Sequence, residues 1–323
     1  MNKICFGCGS KLQSEDKEKL GYVPKGKEDS EYCMRCFRMI HYGENKEVVT
    51  PKDIHEIINK INKDNKFVIF LTDFLNISNH TLDIFKSIKK EKLLVVNKCE
   101  LLPNDVYRDN IIHFLRDEYG ISSDIKLKGG TATHGAKSIL KYLEDHYIKE
   151  AYILGISNSG KSTLINDLLT ICESKLTKIT TNNKANTTLD FIRVNINKNL
   201  TLIDSPGFIL DDAIKSNVEN KDIKSYSLNV KENETVELLN DKFFIKFNEG
   251  SPIVFYNNVN LPKPIKKVFK EVNVSNEIKI EANTDLVLLG IGFISFKKDT
   301  TIVTNLDSKN IELRKSLFGG RND

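Results

Sequence analysis

AYILGISNSGKSTLIN, residues 151 to 166, is the stretch on which the reading of the whole chain turns. It opens with a short apolar run, passes through a glycine- and serine-rich turn, and continues with apolar residues at helical spacing. A strand, a turn and a helix are therefore predicted in that order. The turn carries G-x-x-x-x-G-K-S from Gly155 to Ser162. Phosphate groups are multiply charged anions, and a glycine-rich turn feeding a helix lets consecutive backbone N–H groups and the helix N-terminus point at them. Gly155, Asn158, Ser159 and Gly160 form that turn, Lys161 adds a mobile positive charge, Ser162 offers a hydroxyl to Mg²⁺, and Thr163 follows at the helix start. The strand, loop and helix supply the context the motif requires.

Outward from this loop, short apolar runs alternate with amphipathic ones. FVIFLTD (67–73), KLLVVNK (92–98), IKLKGG (125–130), EAYILGI (150–156), FIRVNI (191–196) and LTLIDSPG (200–207) read as strands, with helical patterns such as TLDIFKSIKK (81–90) and GAKSILKYLEDHY (135–147) between them. That rhythm predicts an α/β fold, a doubly wound and mostly parallel sheet with helices on both faces. After about residue 215 it stops, and FFIKF, IVFY, IKIEA, DLVLLGIGFISF and TTIVTNL predict a β-rich or α+β tail. No internal repeat stands out. Three domains are expected: 1–45, 46–215 and 216–323. In LPKPIKKVFKEV (261–272), Pro264 suits a helix start, Ile265, Val268, Phe269 and Val272 share one side, and Lys263, Lys266, Lys267 and Lys270 share the other. That lysine side is either a solvated face or a contact to phosphate backbone.

Other loops acquire meaning from the phosphate loop. LTLIDSPG places Asp204 and Gly207 at a strand end, where a carboxylate near Mg²⁺ and a backbone N–H donor to a γ-phosphate belong. In KITTNNKANTTLDF, Thr187 and Thr188 offer hydroxyls that could close over Mg²⁺ and sense that phosphate. Upstream, Asn97-Lys98-Cys99-Glu100 has the form of the N-K-x-D loop that reads guanine, with Glu100 one methylene longer than the usual Asp. A carboxylate there accepts hydrogen bonds from base protons that adenine lacks, and such pairing supplies large selectivity. Thr131-Ala132 stands where such proteins use a Ser-Ala pair to support the guanine oxygen. The order of these loops is a rotation of the usual one. A doubly wound sheet tolerates rotation if the old termini are joined and a new break falls in a surface connection. Here the join is the step from the helix ending near Tyr147 to the strand at Ala151, and the break follows the D-S-P-G segment.

Composition narrows the class without naming it. Of 323 residues 40% are hydrophobic, enough for several domains with cores. The net charge of +4 is compatible with nucleic acid and does not single it out. No apolar leader opens MNKICFGCGS and no apolar run reaches membrane-spanning length, so a cytoplasmic address is expected and a membrane is not. Cys5-x₂-Cys8 and Cys33-x₂-Cys36 form two knuckles suited to a tetrahedral four-thiolate Zn²⁺, a device that folds a segment too small for its own core. Cys99 and Cys172 are read as small apolar fillers.

With CFGCG, CMRCFRMIHY, NKCELLP, GISNSGKSTLIN, TTLDF and DSPG in this order, the chain resembles the circularly permuted GTPases of the YqeH type over nearly its whole length. The resemblance implies a GTP-binding and GTP-hydrolysing switch in small (30S) ribosomal subunit biogenesis, with GTP/GDP, Mg²⁺ and Zn²⁺ as cofactors and rRNA or ribosomal proteins as partners. It implies that Lys161, Thr188, Asp204 and Gly207 serve hydrolysis and that Asn97, Lys98 and Glu100 read the base. Asn158 matches a position that in related GTPases helps hold K⁺, a charge able to assist phosphoryl transfer. Phe208 stands where many GTPases carry a water-orienting Gln, so slow intrinsic hydrolysis is expected. The competing readings are a zinc-dependent RNA-binding assembly factor with a weak or non-hydrolysing nucleotide site, and an ATP-using phosphate-loop enzyme.

Overall fold

The computed structural model describes residues 3, 5, 11–16, 21–27, 29–34, 37, 48–49, 51–102, 107–129, 132–172, 191–210, 212–214, 223–240, 242–258, 261–268 and 276–318. The chain falls into two compact units. One holds Met1–Thr72, Phe85–Glu100 and Ser123–Ile209; the other holds Asp73–Ile84, Leu101–Ser122 and Leu210–Asp323.

The first unit is built on the predicted alternation. In chain order come β1 (Val48–Val49), α1 (Pro51–Lys63), β2 (Phe67–Asp73), α2 (Asn79–Ser87), β3 (Lys92–Asn97), α3 (Arg108–Tyr119), β4 (Asp124–Leu127), α4 (Ala132–Asp145), β5 (Glu150–Gly155), α5 (Lys161–Ile171), β6 (Ile192–Asn195), β7 (Thr201–Asp204) and β8 (Gly207–Phe208). Helix α3 and the N-terminal part of α2 belong to the second unit. The main sheet runs β4-β3-β2-β5-β7-β6. Its described pairings are parallel except β6 with β7, whose short antiparallel connection needs no crossover. Because side chains alternate along a strand, Phe67, Ile69, Leu71, Leu93, Val95, Ala151 and Ile153 share one face. They form one core with Ala136, Ile139 and Leu143 of α4 and Leu164, Ile165 and Leu168 of α5. On the alternate registers, Val68, Phe70, Leu94 and Val96 are buried, as are Ile54, Ile57, Ile58 and Ile61 of α1. Strands buried on both faces read as unbroken apolar runs, which is why FVIFL and LLVV carry no polar alternation.

The rotated connection is short. Helix α4 ends at Asp145, and Tyr147 takes a left-handed φ of 55°. The Tyr147 and Ile148 N–H groups then bond back to Glu144 O and Leu143 O before β5 begins. With β5 at the centre of the sheet, the C-terminal ends of β3, β5 and β7 lie along one edge, the edge at which open α/β sheets bind ligands.

Among its described residues the tail contains ten strands, arranged as a duplication that the sequence reading did not pick out. β9 (Ile223–Val230), β10 (Glu234–Leu238), β11 (Phe243–Phe247), β12 (Ser251–Asn258) and β13 (Ile265–Val268) are followed by β14 (Asn276–Ile280), β15 (Thr284–Leu288), β16 (Gly292–Phe296), β17 (Thr300–Thr304) and β18 (Ile311–Lys315). One sheet is ordered β13-β10-β11-β17-β14 and the other β18-β15-β16-β12-β9. Exchanging the first five strands with the last five, in order, converts either sheet into the other. The correspondence reaches single residues. Asn233 and Asn283 both take left-handed φ, 62° and 59°, and their N–H groups bond to Phe247 O and Phe296 O. The Asn248 N–H bonds to Thr301 O as the Lys297 N–H bonds to Pro252 O. Val236, Leu238, Ile245, Phe247 and Ile302 from one sheet share a core with Ile253, Phe255, Leu286, Leu288, Ile294 and Phe296 from the other, so the tail is a two-sheet sandwich.

The helix expected from Pro264 is instead β13, a strand over Ile265–Val268. Its apolar spacing is helical, and pairing with β10 over Glu234–Glu237 overrode that local pattern. Lys266 and Lys267 are engaged by Glu234 and Glu237 at 3.1 and 2.5 Å, so they do not present a free basic stripe.

Candidate nucleotide-binding site

The phosphate loop lies between the last residue of β5 and the first turn of α5. Glycine is required at its two ends for different reasons. A Cβ on Gly155 would collide with the Leu71 carbonyl of the neighbouring strand. Gly160 takes φ +94°, and a Cβ there would collide with the Asn97 carboxamide. Asn158, between them, is left-handed at φ 65° and exposed. Ser159 is buried, and its Oγ has no hydrogen-bond partner.

Lys161 is buried and donates to the Gly155 carbonyl at 3.0 Å. Burial pushes its pKa below the usual lysine value while the Asp204 carboxylate pulls it back up. An ammonium so placed is short of negative charge, which a polyphosphate supplies. Ser162 is buried at the start of α5 beside it, and Thr163 is exposed. The lysine, the unpartnered Ser159 hydroxyl and a turn with glycine at both ends fit a nucleotide's phosphates. The Ser162 hydroxyl and the buried Asp204 carboxylate are hard oxygen donors of the kind Mg²⁺ prefers.

The D-S-P-G segment closes one side of this loop. Asp204 ends β7, level with Ile153 of β5. Ser205 fastens the turn, its N–H and hydroxyl both donating to the Ile153 carbonyl at 3.1 and 2.9 Å. A Cβ on Gly207 would stand 3.1 Å from Lys161 Nζ and 3.3 Å from Ser157 Cα. Phe208 accepts a hydrogen bond from Ser157 N–H at 2.7 Å, which ties the metal loop to the phosphate loop.

The opposite side is closed by Asn97-Lys98-Cys99-Glu100 at the end of β3. The Asn97 carboxamide donates to the Ser159 carbonyl at 2.8 Å, joining residues 62 apart in the chain. Lys98 is buried at φ 62°, and Cys99 is buried with its thiol on the Val96 carbonyl at 3.3 Å, as a filler. Glu100 is exposed, in a 3-10 turn over Cys99–Leu101. Behind this loop, Lys128 N–H bonds to Val96 O and Cys99 N–H to Lys128 O, at 2.8 and 3.0 Å. Gly129 then presses on it: a Cβ there would lie 2.5 Å from Glu100 N and 2.7 Å from Cys99 C. Gly129, the residue directly after β4 and its Lys128, thus packs against the back of this loop, a contact that the Thr131-Ala132 expectation did not include. Ala132 is the first residue of α4, and Thr131 lies outside the described residues. The Gly129-Gly130 doublet at a strand end was the available signal. An ion pair that no motif indicated, Lys128 with Asp167 of α5 at 3.0 Å, ties the end of β4 to the phosphate helix with both partners buried.

Thr187 and Thr188 lie outside the described residues, as do Cys8 and Cys36. Their partners Cys5 and Cys33 share a small buried cluster with Leu12 and Tyr32 packed against it. The Cys33 N–H points at Cys5 Sγ, 3.1 Å away. Among the described residues no group of three or more His, Cys, Asp or Glu is placed to hold a metal.

Comparison with known proteins follows the same outline. A family profile described as "50S ribosome-binding GTPase" matches residues 150–259, beginning at the phosphate strand. The uncharacterized protein YqeH of Bacillus subtilis (strain 168) is 29% identical over 274 residues, covering 78% of this chain and 75% of that one. The NO-associated protein 1 of Arabidopsis thaliana is 23% identical over 51% of this chain, which spans only 34% of that protein. Among solved structures, YjeQ from Thermotoga maritima is 21% identical, covers 45% of this chain and 48% of its own, and has a TM-score of 0.32. With the phosphate-loop, N-K-C-E and D-S-P-G segments on one sheet edge in rotated order, the chain is similar to the circularly permuted GTPases of the YqeH type.

Proposed function

We propose that the protein is a GTP-binding and GTP-hydrolysing switch acting in the cytoplasm on assembling small ribosomal subunits. The observation that carries the nucleotide half is the bond from the Asn97 carboxamide to the Ser159 carbonyl, which holds a base reader and a phosphate cradle in one rigid piece. In this reading Asn97, Lys98 and Glu100 recognise guanine, with the loop after β4 supporting them. Gly155, Asn158, Ser159, Gly160, Lys161, Ser162 and Thr163 hold the phosphates. Mg²⁺ held there would supply positive charge beside the transferred phosphoryl group. Ser162 would ligate it and Asp204 would stand nearby, Thr188 or Thr187 would supply a further hydroxyl, and Gly207 would offer its N–H to the γ-phosphate. Asn158, exposed at the loop's apex, is the residue assigned to K⁺. Phe208 is buried and cannot orient a water, so turnover on its own is slow.

The N-terminal module carries a structural zinc in this reading. Support comes from the Cys33 N–H aimed at Cys5 Sγ, since thiolates that ligate zinc accept such bonds. The ribosomal half rests on the resemblance to the family and on the profile's printed description, which names the large subunit where the resemblance implies the small one. No helix among the described residues is long and apolar enough to cross a membrane.

Equilibrium binding of GTP, GDP and ATP to the wild type and to Glu100→Asp tests the nucleotide reading, and cosedimentation with each isolated subunit tests the partner. GTP and GDP binding well above ATP, with sedimentation on the small subunit, is the expected result. Equal binding of ATP ends the guanine reading, and sedimentation only on the large subunit ends the small-subunit one. The exposed, longer Glu100 favours one alternative, an RNA-binding assembly factor whose nucleotide site is weak. That alternative requires Glu100→Asp to raise GTP affinity severalfold.

A further inference from the structure

Strand β1 has no part in the nucleotide site, and its pairing is unusual. Val48 and Val49 lie parallel to Gly207 and Phe208, residue for residue. On its other side β8 (Gly207–Phe208) runs parallel to the phosphate loop, through the Ile156–Phe208 bridge and the Ser157 N–H on Phe208 O at 2.7 Å. The metal loop's exit is therefore a middle strand, held by the phosphate loop on one edge and by the chain leading out of the cysteine-bearing N-terminal segment on the other. Gly207 packs closely on the phosphate loop, since a Cβ there would stand 3.1 Å from Lys161 Nζ and 3.3 Å from Ser157 Cα. Phe208 is completely buried, 6.1 Å from the Phe70 ring.

We propose that β1 is a strap through which the nucleotide state is passed to the N-terminal module, in addition to the covalent route into the tail. This rests on the GTPase reading above. Parallel backbone pairing is rigid in register but only two residues long, so a shift of Gly207 toward or away from a γ-phosphate must either carry Val48–Val49 with it or break their pairing. In both cases the change reaches the chain N-terminal to α1. A two-residue pairing is weak enough to open and close in a functional cycle. Because Pro51 begins α1 directly afterwards, displacement of β1 is taken up on its N-terminal side.

Backbone hydrogen exchange on the full-length protein tests this, with nucleotide-free, GDP-bound and non-hydrolysable GTP analogue-bound samples compared and binding verified in each. The expected result is that amides of Val48–Val49 and of Gly207–Ile209 change protection together between the GDP and analogue states. If both nucleotides bind and the Gly207–Ile209 amides respond while Val48–Val49 do not, the strap is refuted. A double variant, Val48→Pro with Val49→Pro, removes both N–H donors of β1. It should raise exchange at Gly207–Ile209 by about tenfold even without nucleotide, the scale set by losing one or two backbone hydrogen bonds. No rise overturns the pairing. Failure of GTP to bind the wild type counts against the GTPase reading, and the nucleotide-free comparison then still decides whether the strap exists.

Discussion

Replacing Gly129 by alanine adds one methyl group, and the structure specifies what that methyl meets. It would stand 2.5 Å from Glu100 N, 2.7 Å from Cys99 C and 2.9 Å from Cys99 Cβ. Ordinary carbon contacts begin near 3.5 Å, so the separation must grow by about 1 Å. No flexible side-chain end is involved that could swing aside, since two of the three atoms are backbone. The displacement therefore falls on the base reader, and with it on the Cys99 N–H bond to Lys128 O. A hydrogen bond to a charged group is worth about 1.5–3 kcal/mol, and a 1 Å displacement of the Glu100 carboxylate forfeits most of that. GTP affinity should then fall by about 10- to 100-fold. The phosphate loop is not touched by the new methyl, so ATP binding should stay within about twofold of the wild type, inside the usual scatter of unaffected sites. The assay is competition binding of GTP and ATP at fixed Mg²⁺, with a thermal melt to confirm folding. Overpacking should lower stability by about 1–3 kcal/mol, which sets the temperature for the comparison. A folded Gly129→Ala protein whose GTP-to-ATP ratio equals that of the wild type would refute the argument that Gly129 positions the reader.

Two further expectations follow from buried charge. Arg314 bonds to the Asp285 carboxylate, to the Ile77 carbonyl and over the Phe293 ring, with both ions buried. Arg314→Met leaves Asp285 buried without its countercharge and should cost about 3–5 kcal/mol in denaturant unfolding, most of it recovered in Arg314→Met with Asp285→Leu; a loss under about 1 kcal/mol would contradict the ion pair's role. The pKa of Lys161 is held below its ordinary value of 10.5, mainly by burial. The unfolded chain therefore binds more protons than the folded one over the window below 10.5, and stability rises with pH there. Phosphates beside Nζ favour the charged form, so GTP binding should take up protons in that alkaline window. Calorimetry in two buffers of different ionisation enthalpy measures the uptake, and proton release at every pH would be inconsistent with it.

The nucleotide edge was legible because its chemistry is local. Phosphates require glycine, lysine and a hydroxyl at fixed spacing, and the same residues produce the turn. The rotated order was legible because each loop announces a strand end by itself. What the sequence concealed depends on distant pairing. Lys128 reads as an ordinary lysine until β4 and α5 bring it to Asp167. The segment after Pro264 carries helical spacing, and only the pairing with β10 makes it a strand. The duplicated tail escaped notice because the residues its halves share, Asn233 and Asn283, Leu238-Leu239 and Leu288-Leu289, Phe244-Ile245 and Phe293-Ile294, Phe247 and Phe296, and Ile253-Val254 and Ile302-Val303, are scattered across a one-residue shift in spacing and mostly repeat an apolar pattern common to strands. Asn is kept at the left-handed positions because it tolerates them.

That duplication has a consequence for how the tail came about and how it fails. Each sheet takes three strands from one half and two from the other, so neither half can complete a sheet. A chain ending after β13 would expose the edge of β11 that β17 covers and the edge of β12 that β16 covers. Unpaired edges seek another chain, and a second copy of the same half offers the strands that are missing. The tail is thus one half written twice into one polypeptide and paired as a homodimer would be, an architecture in which truncation trades a folding unit for self-association.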